Sequence, residues 1–173
     1  NGICTKLINR HPHVFNNVDL DMSQFEKTWE ELKRDEKGET SITSGLKRIP
    51  NHLPALIKAE KIQHKAALIG FDWDDIKDVF EKIEEEYKEL LDECKQGNIK
   101  YIKEELGDLL FSIVNLARFL HIDSEEALNL TNQKFINRFE FMEENASKLH
   151  KKLEDLTLDQ MEELWQSAKK NKL

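Results

Sequence analysis

The sequence predicts an all-α fold, a helical bundle. Three observations carry that expectation. The 173 residues include only 6 Gly and 3 Pro, so little breaks regular structure. Charged residues make up 35% and aromatics 8%, which favours helices over sheets. Nearly every segment repeats its apolar residues at helical period, and the strands of an α/β fold are missing from the pattern. A chain of this length builds one good core, or one domain with an appendage.

The elements follow in order. A first helix runs to Asn9 and stops before Pro12, because a residue preceding proline avoids the α region. A second fits Met22 to Lys37, with Phe25, Trp29 and Leu32 on one stripe. "GETSITSGLKRIPNHLP" is polar and punctuated, and reads as a linker. A helix from Pro54 to Ile69 ends on Gly70 as its C-cap residue. "FDWDD" opens the next, with Asp72 or Asp74 as N-cap, and it extends to Cys94. Its stripe of Ile76, Val79, Ile83, Tyr87, Leu90 and Cys94 is expected to face the core. "KQGN" is a short turn into a helix from Asn98 to His121. Asp123 or Ser124 caps another, with Glu126 completing a capping box, and it ends near His150. Thr157 and Gln160 form a further capping box that starts a last helix through Lys170.

Bulk properties exclude some functions. The net charge of −8 argues against a duplex DNA binder, since phosphates are repelled. Any polyanion would need local cations or metal ions. No run of 18 apolar residues suggests a membrane span, and no signal-peptide pattern opens the chain. Cys4 and Cys94 read as free thiols of a cytoplasmic protein.

The chemistry is expected in "EKIEEEYKELLDECKQGNIKYIKEELGDLLFSIVNLARFL". Glu86 borders the apolar stripe of its helix, with Glu89 and Glu93 further round the same side. The next helix is apolar on nearly every side after Leu106, which places it mid-bundle. It nonetheless carries Glu105 and Asp108, three residues apart. Buried carboxylates need partners or shift their pKa. Two readings stand. Either Lys82 and Lys103 are their ion-pair partners, or Glu86, Glu89, Glu105 and Asp108 form a hard oxygen site for a divalent metal such as Mg²⁺. The short turn makes the helices antiparallel, so Glu89 faces Glu105 and Glu86 faces Asp108. Gly107 costs about 1 kcal/mol relative to Ala within a helix; a ligand, a close backbone or a tight helix crossing would each explain it. Di-iron chemistry ranks low, because the chain has no Glu-x-x-His pair.

Mg²⁺ usually shares its shell with phosphates, and phosphates need cations. Lys134 and Arg138 project together, four residues apart, and so do Trp165 and Lys169. A Trp on an amphipathic helix is more often core, so these pairs gain weight only beside the carboxylates.

At "EEEYKE" and "ELGD" the sequence resembles the MazG-type nucleoside triphosphate pyrophosphohydrolases, whose signature is Glu-Glu-x-x-Glu followed by Glu-x-x-Asp. "KIQHKAALIGFDW", "GDLLFSIVNLARFL" and "NQKFINRF" extend the likeness over Leu53 to Lys170. The resemblance implies an all-α, usually homodimeric enzyme that hydrolyses nucleoside triphosphates to monophosphate and pyrophosphate with Mg²⁺, Mn²⁺ being a possible substitute. Glu86, Glu89, Glu105 and Asp108 would be metal ligands, and with Glu85 the catalytic carboxylates. Lys82, Glu85, Glu104, Lys134, Arg138, Trp165 and Lys169 would contact the nucleotide, as would Glu86 and Asp108. Tyr101 is a departure, standing where a relative carries lysine; it can stack or hydrogen-bond but cannot neutralise a phosphate. Other readings are a related pyrophosphohydrolase for dUTP, dCTP or phosphoribosyl-ATP, and a non-catalytic helical dimer module that binds metal or nucleotide.

One phrase occurs twice. "KLINRH" at Lys6–His11 matches "KFINRF" at Lys134–Phe139 in four of six positions. Downstream, "WEELK" with Trp29 and Lys33 echoes "WQSAK" with Trp165 and Lys169. In this register His11 corresponds to Phe139, so His11 and His13 read as structural rather than as ligands. The expected organisation is therefore residues 1–48 as the second half of a repeat plus linker, and residues 49–173 as a complete catalytic domain. Lys6, Arg10, Trp29 and Lys33 would be the cationic arm of a site whose carboxylate half lies outside the chain.

Overall fold

The computed structural model describes residues 2–15, 29, 32, 36, 38 and 41–171. Its helices are α1 (Gly2–Arg10), α2 (Pro12–Phe15), α3 (Ile42–Lys47), α4 (Ala55–Ala67), α5 (Ile76–Gln96), α6 (Ile99–Phe119), α7 (Ser124–Lys148) and α8 (Leu158–Lys170), with a 3-10 turn at Leu153–Asp155. Among the described residues there is no strand, as the composition and period predict. The chain packs as two compact units, one reaching Phe119 and the other beginning at Leu120.

In the first unit α6 packs along α5 and also against α4. The antiparallel pairing comes from the turn between them. Gly97 takes the left-handed region at φ 76° and its N–H donates to the Glu93 carbonyl at 2.9 Å. Asn98 then starts α6, its side chain accepting from the Lys100 N–H at 3.2 Å. Val79 on α5, Val114 on α6 and Ile49 before α4 are buried. Gln63 of α4 is buried too, and its Nε2 donates to the Phe111 carbonyl at 2.7 Å, tying α4 to α6.

Several boundaries differ from the expectations, each for a local reason. Asp75 caps α5, accepting from the Lys77 N–H at 2.8 Å. Asp72 is instead engaged by Arg118 of α6, with Nη1 to Oδ2 at 3.0 Å, and Arg118 also donates to Asn115. α4 ends three residues before Gly70, which sits at φ 86° while Phe71 N–H reaches back to the Ala66 carbonyl at 3.1 Å. The stretch read as linker contains α3, because Ser41 and Ser44 form a capping box at its start. Of the helix expected over Met22–Lys37, Trp29, Leu32 and Glu36 are described and helical, whereas Phe25 and Lys33 lie outside the described residues.

The expected core stripe of α5 is only partly inside. Val79 is buried and Ile76, Ile83 and Leu90 half-buried, but Tyr87 and Cys94 are exposed. α6 is likewise covered on part of its circumference. Leu106, Leu110 and Ile113, at i, i+4 and i+7, remain 46%, 49% and 46% exposed. An all-round apolar helix is expected mid-bundle; among the described residues of its own unit, α6 packs chiefly on α5 and α4.

In the second unit α7 and α8 pack together across the 3-10 turn, burying Met142, Ala146, Leu156 and Ala168. Asp123 caps α7, accepting from the Glu126 N–H at 2.9 Å. The capping box of Thr157 and Gln160 opens α8, at 3.1 and 3.3 Å.

Candidate active site

The hairpin of α5 and α6 brings three of the four predicted carboxylates together. Glu86, Glu105 and Asp108 each offer an oxygen, and these oxygens lie within 4.8 Å of one another. Glu86 is buried at 7% exposure, Glu105 is half-buried and Asp108 exposed. Glu89 is exposed and stands outside this triplet, but its charge acts on Glu105.

Counter-ions bear on both readings of these acids. Lys82 Nζ lies 2.7 Å from Glu86 Oε1 and 3.1 Å from Glu85 Oε2. Among the described residues Lys103 pairs with none of the cluster, and Glu105 and Asp108 have no Lys or Arg partner. The ion-pair network is therefore half built. Partial burial raises the Glu105 pKa above the ordinary 4.5, and the charges of Glu89, Asp108, Glu86 and Glu93 raise it further. The hydrogen bond to Glu86, aided by Glu85, holds the Lys82 ammonium above the ordinary lysine range despite some desolvation. An oxygen-only donor set with uncompensated charge fits a hard divalent cation.

The structure shows a further acid, Glu93, which sequence reading placed beside the others without a role. It lies seven residues after Glu86, two helical turns on, so the spacing was there to find. Its Oε2 is buried and without a hydrogen-bond partner among the described residues. Among the described residues no helix crosses at Gly107: a Cβ there meets nothing within 4 Å. Tyr101 is exposed on α6, seven residues before Asp108, with Lys100 Nζ 5.5 Å from its ring centroid. Glu104, also exposed, is within 4.0 Å of Lys100.

The cationic candidates lie on the second unit. Arg138 on α7 places its guanidinium over the Trp165 ring of α8, 5.2 Å from the centroid. Phe135 and Phe139 pack on the same indole, at 5.1 and 6.2 Å between centroids. Trp165 is thus half-buried, both a packing residue and an aromatic face. Lys134 and Lys169 are exposed. The sequence echo has a structural counterpart: the Arg10 guanidinium lies over the Trp29 ring at 5.6 Å. Arg10 is further held by Glu36, with Nη2 to Oε2 at 2.6 Å.

Comparison with known proteins identifies the family. Residues 75–142, which hold the whole α5–α6 hairpin, match the MazG nucleotide pyrophosphohydrolase domain. A nucleoside triphosphate pyrophosphohydrolase/pyrophosphatase MazG of Thermotoga maritima is 46% identical over 164 residues, covering 95% of this chain and 62% of that protein. A nucleoside triphosphate pyrophosphohydrolase of Escherichia coli K12 is 39% identical over 180 residues, covering 100% of this chain and 68% of that protein. The chain thus spans less than two thirds of the Thermotoga relative and just over two thirds of the other. With identity of this extent and the carboxylate hairpin in place, the chain belongs to the MazG family of nucleotide pyrophosphohydrolases.

Proposed function

We propose that this chain hydrolyses nucleoside triphosphates to nucleoside monophosphate and pyrophosphate with a divalent cation, Mg²⁺ or in its place Mn²⁺. The observation that carries the proposal is the convergence of Glu86, Glu105 and Asp108 with no Lys or Arg on the latter two among the described residues. These three would hold the ion, with Glu89 beside them. Bound there, the ion supplies charge neutralisation for the triphosphate and lowers the pKa of water.

The chain's own residues supply the rest. Glu85 pairs with Lys82 at 3.1 Å and is the candidate to orient the attacking water or take its proton. The water oxygen bonds to the α-phosphorus as the bond from that phosphorus to the α–β bridging oxygen breaks. The electron pair leaves with pyrophosphate. Lys134 and Arg138 are assigned to the phosphates, where fixed positive charge stabilises the leaving group. Trp165 offers a face to the base, and Tyr101, Glu104 and Lys169 are assigned further nucleotide contacts.

The exposed stripe of Leu106, Leu110 and Ile113 on α6 supports a homodimer in which a second copy covers it. The recurrence of the Arg–Trp pair supports residues 1–48 as a partial repeat of the fold in residues 49–173. The described helices include none long and apolar enough to cross a membrane. Two exposed free thiols, Cys4 and Cys94, suit a reducing cytoplasm. The test of activity is incubation of the chain with each of several triphosphates and Mg²⁺, with product identification. Monophosphate and pyrophosphate are expected; orthophosphate release, or no turnover, overturns the proposal.

A further inference from the structure

Lys82 raises a question that helix stability does not answer. It precedes Glu86 by four residues, the less favourable order for a helical ion pair, since a glutamate N-terminal to a lysine suits the helix dipole better. It is nevertheless, among the described residues, the cation that contacts the cluster, 2.7 Å from Glu86. Glu86 is also the most buried cluster member, so its charge is the one least relieved by water.

We propose that Lys82 is an exchangeable counter-ion: it neutralises Glu86, and yields that carboxylate to a divalent ion as it passes to a phosphate oxygen of the incoming triphosphate. This rests on the reading of the cluster as the metal site of a triphosphate hydrolase.

The geometry supports an exchange. Glu86, Glu105 and Asp108 would together hold a divalent ion through their carboxylate oxygens. An ammonium on the same carboxylate then stands close to it, and like charges repel strongly where water is partly excluded. Lys82 can leave, because its side chain is 37% exposed and its stem is flexible. It needs no proton transfer, since Glu86 and Glu85 hold the ammonium charged. A triphosphate oxygen gives it a new anionic partner of similar strength. The consequence is coupled loading. Without a triphosphate Lys82 would give up Glu86 with no new anionic partner, whereas with one it would exchange one anion for another.

The test is calorimetric titration of Mg²⁺ into the full chain, with and without a triphosphate whose α–β bridge resists hydrolysis. Lys82→Met is expected to bind Mg²⁺ roughly tenfold tighter than wild type without nucleotide, a coupling of ordinary size. Lys82→Arg, which keeps the charge, should stay near wild type. Nucleotide should strengthen Mg²⁺ binding in wild type and do so much less in Lys82→Met. Should Lys82→Met lose its thermal transition, Lys82→Gln answers the same question. Equal or weaker Mg²⁺ affinity in the folded neutral variant overturns the exchange alone. No Mg²⁺ binding in any variant, with or without nucleotide, overturns the metal-site reading and the exchange with it.

Discussion

The guanidinium of Arg138 lies over the indole of Trp165, 5.2 Å from its centroid. The pair orients a planar donor fork on an otherwise apolar cluster of Phe135, Phe139 and Trp165. Arg138→Ala should raise KM for the triphosphate about tenfold to a hundredfold, the size of a lost hydrogen bond to a charged group. Arg138→Lys should restore only part, because it keeps the charge and loses the stacked fork. Steady-state kinetics decide; a wild-type KM in Arg138→Ala removes it from the substrate contacts.

Glu86→Gln and Asp108→Asn each remove one oxygen anion from a triplet within 4.8 Å. Turnover should fall at least about a hundredfold, in line with loss of a preorganised charge contact. Circular dichroism should be unchanged. Retained turnover would remove that residue from the metal ligands.

The raised pKa of Glu105 has a sign that can be followed. Its ionised form is less favourable folded than unfolded, so at neutral pH it costs stability, and that cost disappears as pH falls through its folded pKa. The groups acting on it are Glu86, Glu89 and Glu93 from α5 and Asp108 from its own helix. Metal needs the ionised form. The rise in Tm given by saturating Mg²⁺ should therefore be largest near neutral pH and shrink as pH falls toward the carboxylate range. Glu105→Gln should raise the Tm of the metal-free chain at neutral pH. A Mg²⁺ effect on Tm that is constant down to acid pH would contradict this account.

Arg118 ties Asp72 to α6 while also binding Asn115, with side chains only 15% and 29% exposed for the ionic pair. Two-point, partly buried geometry lifts this above an ordinary surface pair. Arg118→Ala should lower unfolding free energy by about 1–2 kcal/mol, read from urea denaturation. A change below the error of that measurement would mean that the Gly70–Asp75 segment is held by other contacts.

The stripe of Leu106, Leu110 and Ile113 gives a test of assembly. Leu110→Glu should shift the chain from dimer to monomer in light scattering. A wild-type dimer with the variant would place the interface elsewhere.

Much of the fold was legible because it is local. Periodicity and caps located the helices of both units, and Thr157 with Gln160 is a short-range signal that no tertiary contact overrides. Which aspartate caps α5 was not legible: "FDWDD" offers three, and the choice falls to Asp75 because Arg118, 46 residues away in sequence, claims Asp72. The short α3 was hidden for the opposite reason, since Ser and Gly read as loop until Ser41 and Ser44 cap each other. At the site, the convergence of Glu86, Glu105 and Asp108 followed from spacing and an antiparallel turn. The pairing of Lys82 with Glu86 rather than Lys103 with Glu105 did not, because it depends on rotamers that spacing leaves open.

The turn at Gly97 does more than reverse the chain. It works as a ruler. Residues 86 and 105 meet across this turn, and one residue added within α6 between Ile99 and Glu105 would rotate its acids by about 100° relative to the start of the helix. Both helices would still form and could still pack. The acids would no longer point at one another, so an insertion here is a change that protein yield would miss and chemistry would not.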